Sequence, residues 1–312
     1  MSNKDLLQRI REQVRQVFVG SEDSLNLMLT ALVCGGHVLI EDVPGLGKTT
    51  LVSSFAKTLG LSFARIQFTP DVLPADITGY TLYNIATGEK EVHRGPVFHQ
   101  VLLADEINRT GPKTQSSLLE AMQERQVTID GVSYPLPDPF MVLATQNPAD
   151  LAGTFPLPEA QLDRFLMRIS LGYPSHSDER EILERGMRQV TPAQLEPVMV
   201  PEDLEALRAE YAEVHCSQAL VDYIINLADA TRHHPQISLG ISPRGSLALL
   251  NACRAYAMIR GRDYVQPDDV QQILEPVWVH RLVLQSQALF KQLTPALVLR
   301  EIMRELPIPS TF

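Results

Sequence analysis

The stretch Asp42-Val43-Pro44-Gly45-Leu46-Gly47-Lys48-Thr49 puts two glycines, a lysine and a hydroxyl side chain into one short loop, a combination suited to holding phosphate. Such a loop folds back so that successive backbone N–H groups and a helix start face the anion, and glycine lets the backbone come close. It matches the pattern G-x-x-x-x-G-K-T except that Asp42 stands where the first glycine is expected. Asp tolerates unusual backbone angles better than most residues, so the exchange is physically acceptable. Lys48 is suited to neutralise the β and γ phosphates of a nucleoside triphosphate, and Thr49 to place its hydroxyl on Mg²⁺. Pro44, Gly45, Leu46, Gly47 and Thr50 complete the expected nucleotide-binding set, with Asp42 counted in it.

Hydrolysis needs more than a cradle. The apolar run at residues 101–104 ends in Asp105 and Glu106. Asp105 can hold Mg²⁺ through its hydration shell, and Glu106 can polarise a water for in-line attack on the γ phosphate. An acidic pair after an apolar run is also what a solvated strand end looks like; beside a phosphate loop the catalytic reading is the stronger one. Asn147 follows the apolar run 140–144, and its amide can donate to the γ phosphate or orient the attacking water. The plainer alternative for Asn147 is turn formation before Pro148.

These residues need elements to position them. The run 37–41 ends in the Gly/Pro-rich loop, and residues 48–59 continue with helical apolar spacing, which predicts strand, loop and helix. Further apolar runs at 101–104, 140–144 and 165–171, separated by helical stretches, predict an α/β domain with a mainly parallel sheet. Ligands of such sheets sit beyond the carboxyl ends of the strands, where all these polar clusters fall. After Pro174 the spacing is helical throughout, which predicts a core domain over residues 1–173 and a smaller all-helical domain with a tail over 174–312. Two hairpins interrupt the α/β pattern. One pairs residues 80–84 with 89–93 around Ala86, Thr87 and Gly88; the other pairs 126–129 with 132–136 around Asp130-Gly131, a strong turn signal.

The composition excludes several classes. In 312 residues no apolar stretch is long enough for a membrane span, and the first 16 residues are polar and amphipathic, unlike a secretion signal, so a cytoplasmic address is expected. Cys34, Cys216 and Cys253 are odd in number and widely spaced, which points to buried thiols rather than disulfides or a zinc site. A formal net charge of -10 disfavours nucleic acid as chief ligand and mainly serves solubility. The adjacent His233 and His234 have no nearby Cys or Asp to complete a metal-ligand set, and Trp278 reads as core.

The phosphate loop and acidic pair, with Ala144-Thr145-Gln146-Asn147-Pro148, Leu162-Asp163-Arg164-Phe165 and Ser242-Pro243-Arg244, resemble an AAA+ ATPase. The strings Arg65-Ile66-Gln67-Phe68-Thr69-Pro70-Asp71, Asp76-Ile77-Thr78-Gly79, Asp105-Glu106-Ile107-Asn108-Arg109 and Leu118-Leu119-Glu120-Ala121-Met122 narrow the resemblance to the MoxR family. The resemblance implies a P-loop AAA+ core with β-hairpin insertions followed by a helical lid. It implies a ring, usually hexameric, with nucleotide at subunit boundaries, ATP and Mg²⁺ as cofactors, Asn147 as first sensor and Arg244 as second. Arg244 also makes sense by itself, because Ser242 can cap a helix and Pro243 suits its first turn, leaving Arg244 beside the positive helix end. Arg164 resembles the arginine finger that reaches a neighbour's γ phosphate, with Arg168 and Arg109 as competitors and a salt bridge to Asp163 or Glu159 as the plainer alternative. The activity implied is chaperone-like remodelling of protein complexes, with a von Willebrand factor A-domain protein as partner. A chelatase-like motor for metal insertion, a nucleotide-controlled scaffold and a nucleic-acid translocase are the competing functions.

Overall fold

A computed structural model describes residues 2–84, 88–147 and 153–309. The chain begins with α1 (Asn3–Arg15), α2 (Glu22–Val33), β1 (Val38–Glu41), α3 (Lys48–Thr58), β2 (Phe63–Gln67), α4 (Pro74–Thr78), β3 (Gly79–Tyr83), β4 (Lys90–Arg94) and β5 (Val101–Asp105). It continues with α5 (Pro112–Glu124), β6 (Gln126–Ile129), β7 (Val132–Pro135), β8 (Met141–Gln146), α6 (Glu159–Leu162), β9 (Met167–Ile169) and α7 (His176–Met187). Last come α8 (Pro201–Glu213), α9 (Gln218–His233), β10 (Ile237–Leu239), α10 (Pro243–Ile259), α11 (Pro267–Trp278), β11 (Val283–Leu284), α12 (Ser286–Phe290) and α13 (Pro295–Glu305).

The apolar runs form the strands they predict, and the central sheet has the order β2-β5-β8-β1-β9. Pairing is parallel, with Leu39 opposite Ala144, Leu103 opposite Leu143 and Ile66 opposite Ala104. Val38, Leu39, Ile40 and residues 101–104 are fully buried. A sheet covered on both faces explains why these runs are continuous rather than alternating. Strand β2 is not anticipated by the apolar runs: at the sheet edge, Phe63-Ala64-Arg65-Ile66-Gln67 buries none of its residues completely.

Both hairpins form. In the first, Gly79 pairs with Arg94 and Tyr83 with Lys90; its expected tip residues Ala86 and Thr87 lie outside the described residues. Gly79 takes φ +101, and a Cβ there would collide with the His93 carbonyl oxygen, so the hairpin base requires glycine. In the second, Ile129 pairs with Val132, and Asp130 (φ 46) and Gly131 (φ 80) form the turn. Two successive positive φ angles match the right-handed twist of the flanking strands.

The chain separates into two compact units: Met1–Leu25, His37–Arg164 and Ile169–Val200 form one, and Asn26–Gly36, Phe165–Arg168 and Pro201–Phe312 the other. The boundary expected at 173–174 therefore falls inside the first unit, which keeps α7 and the segment after it. There Val198 N donates to the Thr58 carbonyl oxygen at 2.8 Å. The second unit is mostly helical among the described residues, with one small antiparallel pair that sets Ile237 opposite Leu284. Helices α9 and α10 start at side-chain caps, Ser217 receiving the Leu220 N–H and Ser242 the Gly245 N–H. Cys253 is buried as expected, whereas Cys34 and Cys216 are only half-buried. Among the described residues no helix is long and apolar enough to cross a membrane.

Candidate functional site

Strand β1 delivers the chain to the phosphate loop, and α3 starts at Lys48 with Gly47 as its cap. Gly45 and Gly47 take φ of +87 and +76, and a Cβ added at Gly45 would meet nothing within 4 Å. The glycines are thus needed for backbone angle, and the loop faces open space. Lys48 Nζ donates to the Asp42 carbonyl oxygen at 2.8 Å, so the side chain folds back over the loop. Burial lowers the Lys48 pKa, while Asp42, Asp105 and Glu106 oppose that shift.

Asp42 does something other than tolerate an unusual angle, since it is not among the residues with positive φ. Its buried carboxylate accepts Ser170 Oγ at 2.6 Å, Leu171 N at 2.6 Å and Gly172 N at 3.3 Å. It therefore ties the start of the loop to the chain leaving β9, and it lines neither of the two cavities beside the loop. Asp42, expected from the sequence in the nucleotide-binding set, has its carboxylate oxygens engaged by backbone and hydroxyl donors.

One cavity of about 280 Å³ is lined by Pro44, Gly45, Gly47, Lys48, Thr49, Arg65, Gln67, Asp105, Glu106 and Asn147. Three strands meet there. From β2, Arg65 Nη2 donates to Asp105 Oδ2 at 2.6 Å, and Gln67 Nε2 donates to Glu106 Oε2 at 2.7 Å. From β8, the buried Thr145 hydroxyl donates to Asp105 Oδ1 at 2.6 Å and accepts the Glu106 N–H at 2.8 Å. Glu106 itself sits in the left-handed region at φ 56, ψ 50, which costs a side-chain-bearing residue about 1–2 kcal/mol. Arg109 Nη1 reaches the same Glu106 oxygen at 3.0 Å. Both carboxylates are therefore held in fixed orientations by donors from neighbouring strands and by Arg109.

A second cavity of about 270 Å³ shares Gly45 and Gly47 with the first. Val17, Phe18, Leu46, Thr50, Ile182 and Arg185 contribute to its walls. Its mixture of apolar side chains and a few polar groups suits a planar ring beside the phosphate loop. Amphipathic α1, whose Leu6, Leu7, Ile10 and Val14 are buried, leads directly into Val17 and Phe18.

Most of the residues expected from the sequence are thus brought together: Pro44, Gly45, Gly47, Lys48, Thr49, Asp105, Glu106 and Asn147 share one cavity, and Leu46 and Thr50 line the other. Pro148 lies outside the described residues. Arg164 is half-buried in the turn after α6, and Arg168 lies in β9. Arg244 is exposed at the second position of α10, in the second unit. Thr145, quoted above only as part of a family string, links the two acids, and Ser170 anchors Asp42. Arg65 and Gln67 enter the site through an alternation with Ile66 and Phe68, which is the signal in the sequence that marks them. The Thr49 hydroxyl and Asp105 carboxylate offer hard oxygen donors in one cavity, the donor chemistry that Mg²⁺ prefers.

Residues 37–167 match the family described as "ATPase family associated with various cellular activities (AAA)", and residues 229–302 match the AAA lid domain. The chain is 48% identical to the Bacillus subtilis protein YeaC over 97% of its own length and 95% of that protein's. It is 44% identical to Chaperone MoxR1 of Mycobacterium tuberculosis, over 97% of this chain and 82% of that one. Protein MoxR of Paracoccus denitrificans is 32% identical, over 94% of each chain. A crystal structure of a Cytophaga hutchinsonii protein, 39% identical, superposes with a TM-score of 0.92 over 99% of this chain and 96% of that one. With the parallel sheet, the phosphate loop and the paired acids already in place, this extent of likeness identifies the chain as a member of the MoxR family of AAA+ ATPases.

Proposed function

We propose that this protein hydrolyses ATP with Mg²⁺ in a ring of identical subunits, usually six in this family, and uses the turnover to remodel or activate protein complexes. The observation that carries this proposal is the convergence of the phosphate loop, Asp105, Glu106 and Asn147 on one cavity. Lys48 neutralises the β and γ phosphate oxygens, and the N–H groups of the loop bind them. Thr49 and Asp105 would hold Mg²⁺, which would supply positive charge to offset that of the phosphates. Glu106 accepts a proton from the attacking water, and Asn147 donates its amide to the γ phosphate or to that water. Gln67 and Arg109 hold the Glu106 carboxylate until a water takes their place at its oxygen. The base lies in the cavity beside Phe18 and Leu46.

Arg164 completes the neighbouring subunit's site, a contribution worth about 10³ to 10⁵ in rate for an arginine finger. Arg244, at the start of α10, is the second sensor in this reading. The name Chaperone MoxR1 of a 44% identical relative supports a protein client, and a von Willebrand factor A-domain protein is the partner proposed. The test is phosphate release by the purified protein with ATP and Mg²⁺. Release is expected from the wild type, with loss of both binding and turnover in Lys48→Ala; unchanged turnover in Lys48→Ala would overturn the assignment of the loop.

A further inference from the structure

Both carboxylate oxygens of Asp105 are engaged by donors of the chain. Oδ1 accepts the Thr145 hydroxyl at 2.6 Å, and Oδ2 accepts Arg65 Nη2 at 2.6 Å. The two donors differ in kind. Thr145 is 1% exposed, and its hydroxyl is further fixed by accepting the Glu106 N–H at 2.8 Å. The Arg65 side chain is 46% exposed and lines the cavity with Lys48 and Thr49. Oδ2 is therefore the oxygen whose partner can be exchanged, while the buried bond to Oδ1 keeps the carboxylate oriented.

Arg65 is braced from its own strand. The same Nη2 donates to Gln67 Oε1 at 3.0 Å, and Gln67 Nε2 donates in turn to Glu106 Oε2 at 2.7 Å. Residues 65 and 67 share one face of β2 because successive side chains of a strand alternate. An isolated exposed ion pair contributes little, whereas this one belongs to a network that runs from Asp105 to Glu106. A guanidinium, charged at any working pH, thus sits on the carboxylate that suits a divalent cation. A carboxylate oxygen has two lone pairs, so a metal-bound water and Arg65 can meet at Oδ2, but their positive charges then repel. Displaced or repelled, Arg65 opposes the metal, and the sign of its effect is the same.

We propose that Arg65 is a positioning residue that competes with Mg²⁺ for Asp105 and so sets the metal concentration at which the site fills. This deepens the function proposed above and rests on the place given there to Mg²⁺. Thr145 holds Asp105 in orientation whether or not Arg65 is present, so removing the guanidinium frees an oxygen without losing the carboxylate's aim.

Mn²⁺ titrated into the purified, ADP-loaded protein and followed by electron paramagnetic resonance reads metal affinity apart from turnover. Arg65→Gln is expected to bind Mn²⁺ about 3- to 10-fold more tightly than the wild type, the scale on which one unit charge acts on a divalent ion across a solvated site. Arg65→Lys, which keeps the charge, is expected to lie closer to the wild type than Arg65→Gln does. A purely structural role for Arg65 gives no gain in affinity. Asp105→Asn and Thr49→Ala are expected to weaken Mn²⁺ binding. If they weaken it while Arg65→Gln matches the wild type or binds more weakly, the competition alone is overturned. If neither weakens it, the metal is not held by these residues, and the Mg²⁺ assignment falls together with the competition. Should Arg65→Gln fail to fold, Arg65→Met is read in the same way.

Discussion

Three donors converge on the buried Asp42 carboxylate, two of them backbone N–H groups. Asp42→Ala is therefore expected to lower stability by about 1–3 kcal/mol, the scale of hydrogen bonds lost to a charged acceptor. Urea unfolding measures this, and an unchanged midpoint would show that the loop does not depend on the tie to the chain after β9. His37 makes a second residue-scale prediction. Its Nδ1 accepts the Val142 N–H at 3.0 Å and its Nε2 donates to the Met122 carbonyl oxygen at 3.2 Å, so only the neutral ring satisfies both. Burial, reinforced by the charge of Arg125, lowers its pKa from 6.5 to about 3. Because the folded pKa lies below the unfolded one, acid protonates the unfolded chain first; this stabilisation is complete above about pH 6.5 and is lost as pH falls toward about 3. The buried ring of His280 is shifted in the same direction and adds to the slope. His37→Gln is expected to show a shallower fall of melting temperature with acid than the wild type, and equal slopes would remove His37 as a contributor.

Elements differ in how plainly they are written in the chain. The central strands are legible because burial on both faces demands continuous apolar runs, as at Val38-Leu39-Ile40 and Val101-Leu102-Leu103-Ala104. The second hairpin is legible because Asp130-Gly131 has the turn chemistry its two positive φ angles require. Gly131→Val, at φ +80, is accordingly expected to weaken that hairpin locally by about 1–2 kcal/mol. Faster amide exchange across Val127 and Tyr134, with ATP binding unchanged, is the observation that checks it. Strand β2 is less plain, since an edge strand needs no long apolar run; only the alternation of Arg65 and Gln67 with Ile66 and Phe68 marks it, and nothing local marks the two polar residues as partners of the acids. Strands β10 and β11 are too short, at three and two residues, for alternation to be visible. The Ser242 cap and Pro243 start of α10 are legible because both act locally.

At the scale of the whole molecule, helical spacing after Pro174 does not tell which compact unit a helix joins, so the sequence suggests a boundary at 173–174 while α7 belongs to the first unit, whose last segment runs to Val200. The chemistry of the site is more legible than this organisation, because phosphate binding needs a contiguous loop whereas packing partners are distant in sequence. Thr145 shows the limit: its hydroxyl joins Asp105 to Glu106 across strands β8 and β5, a link invisible in either strand alone. If Arg164 serves a neighbouring subunit, Arg164→Ala lowers turnover by about 10³-fold or more without lowering ATP affinity, as expected of a group that stabilises only the transition state. Steady-state turnover set beside equilibrium ATP binding separates these, and a parallel fall in both would place Arg164 in ground-state binding instead. The most direct test of hydrolysis at this cavity is the identity of the nucleotide bound to Glu106→Gln after incubation with ATP and Mg²⁺. Retained ATP, where the wild type holds ADP, is the predicted result. ADP with phosphate released at the wild-type rate would contradict it.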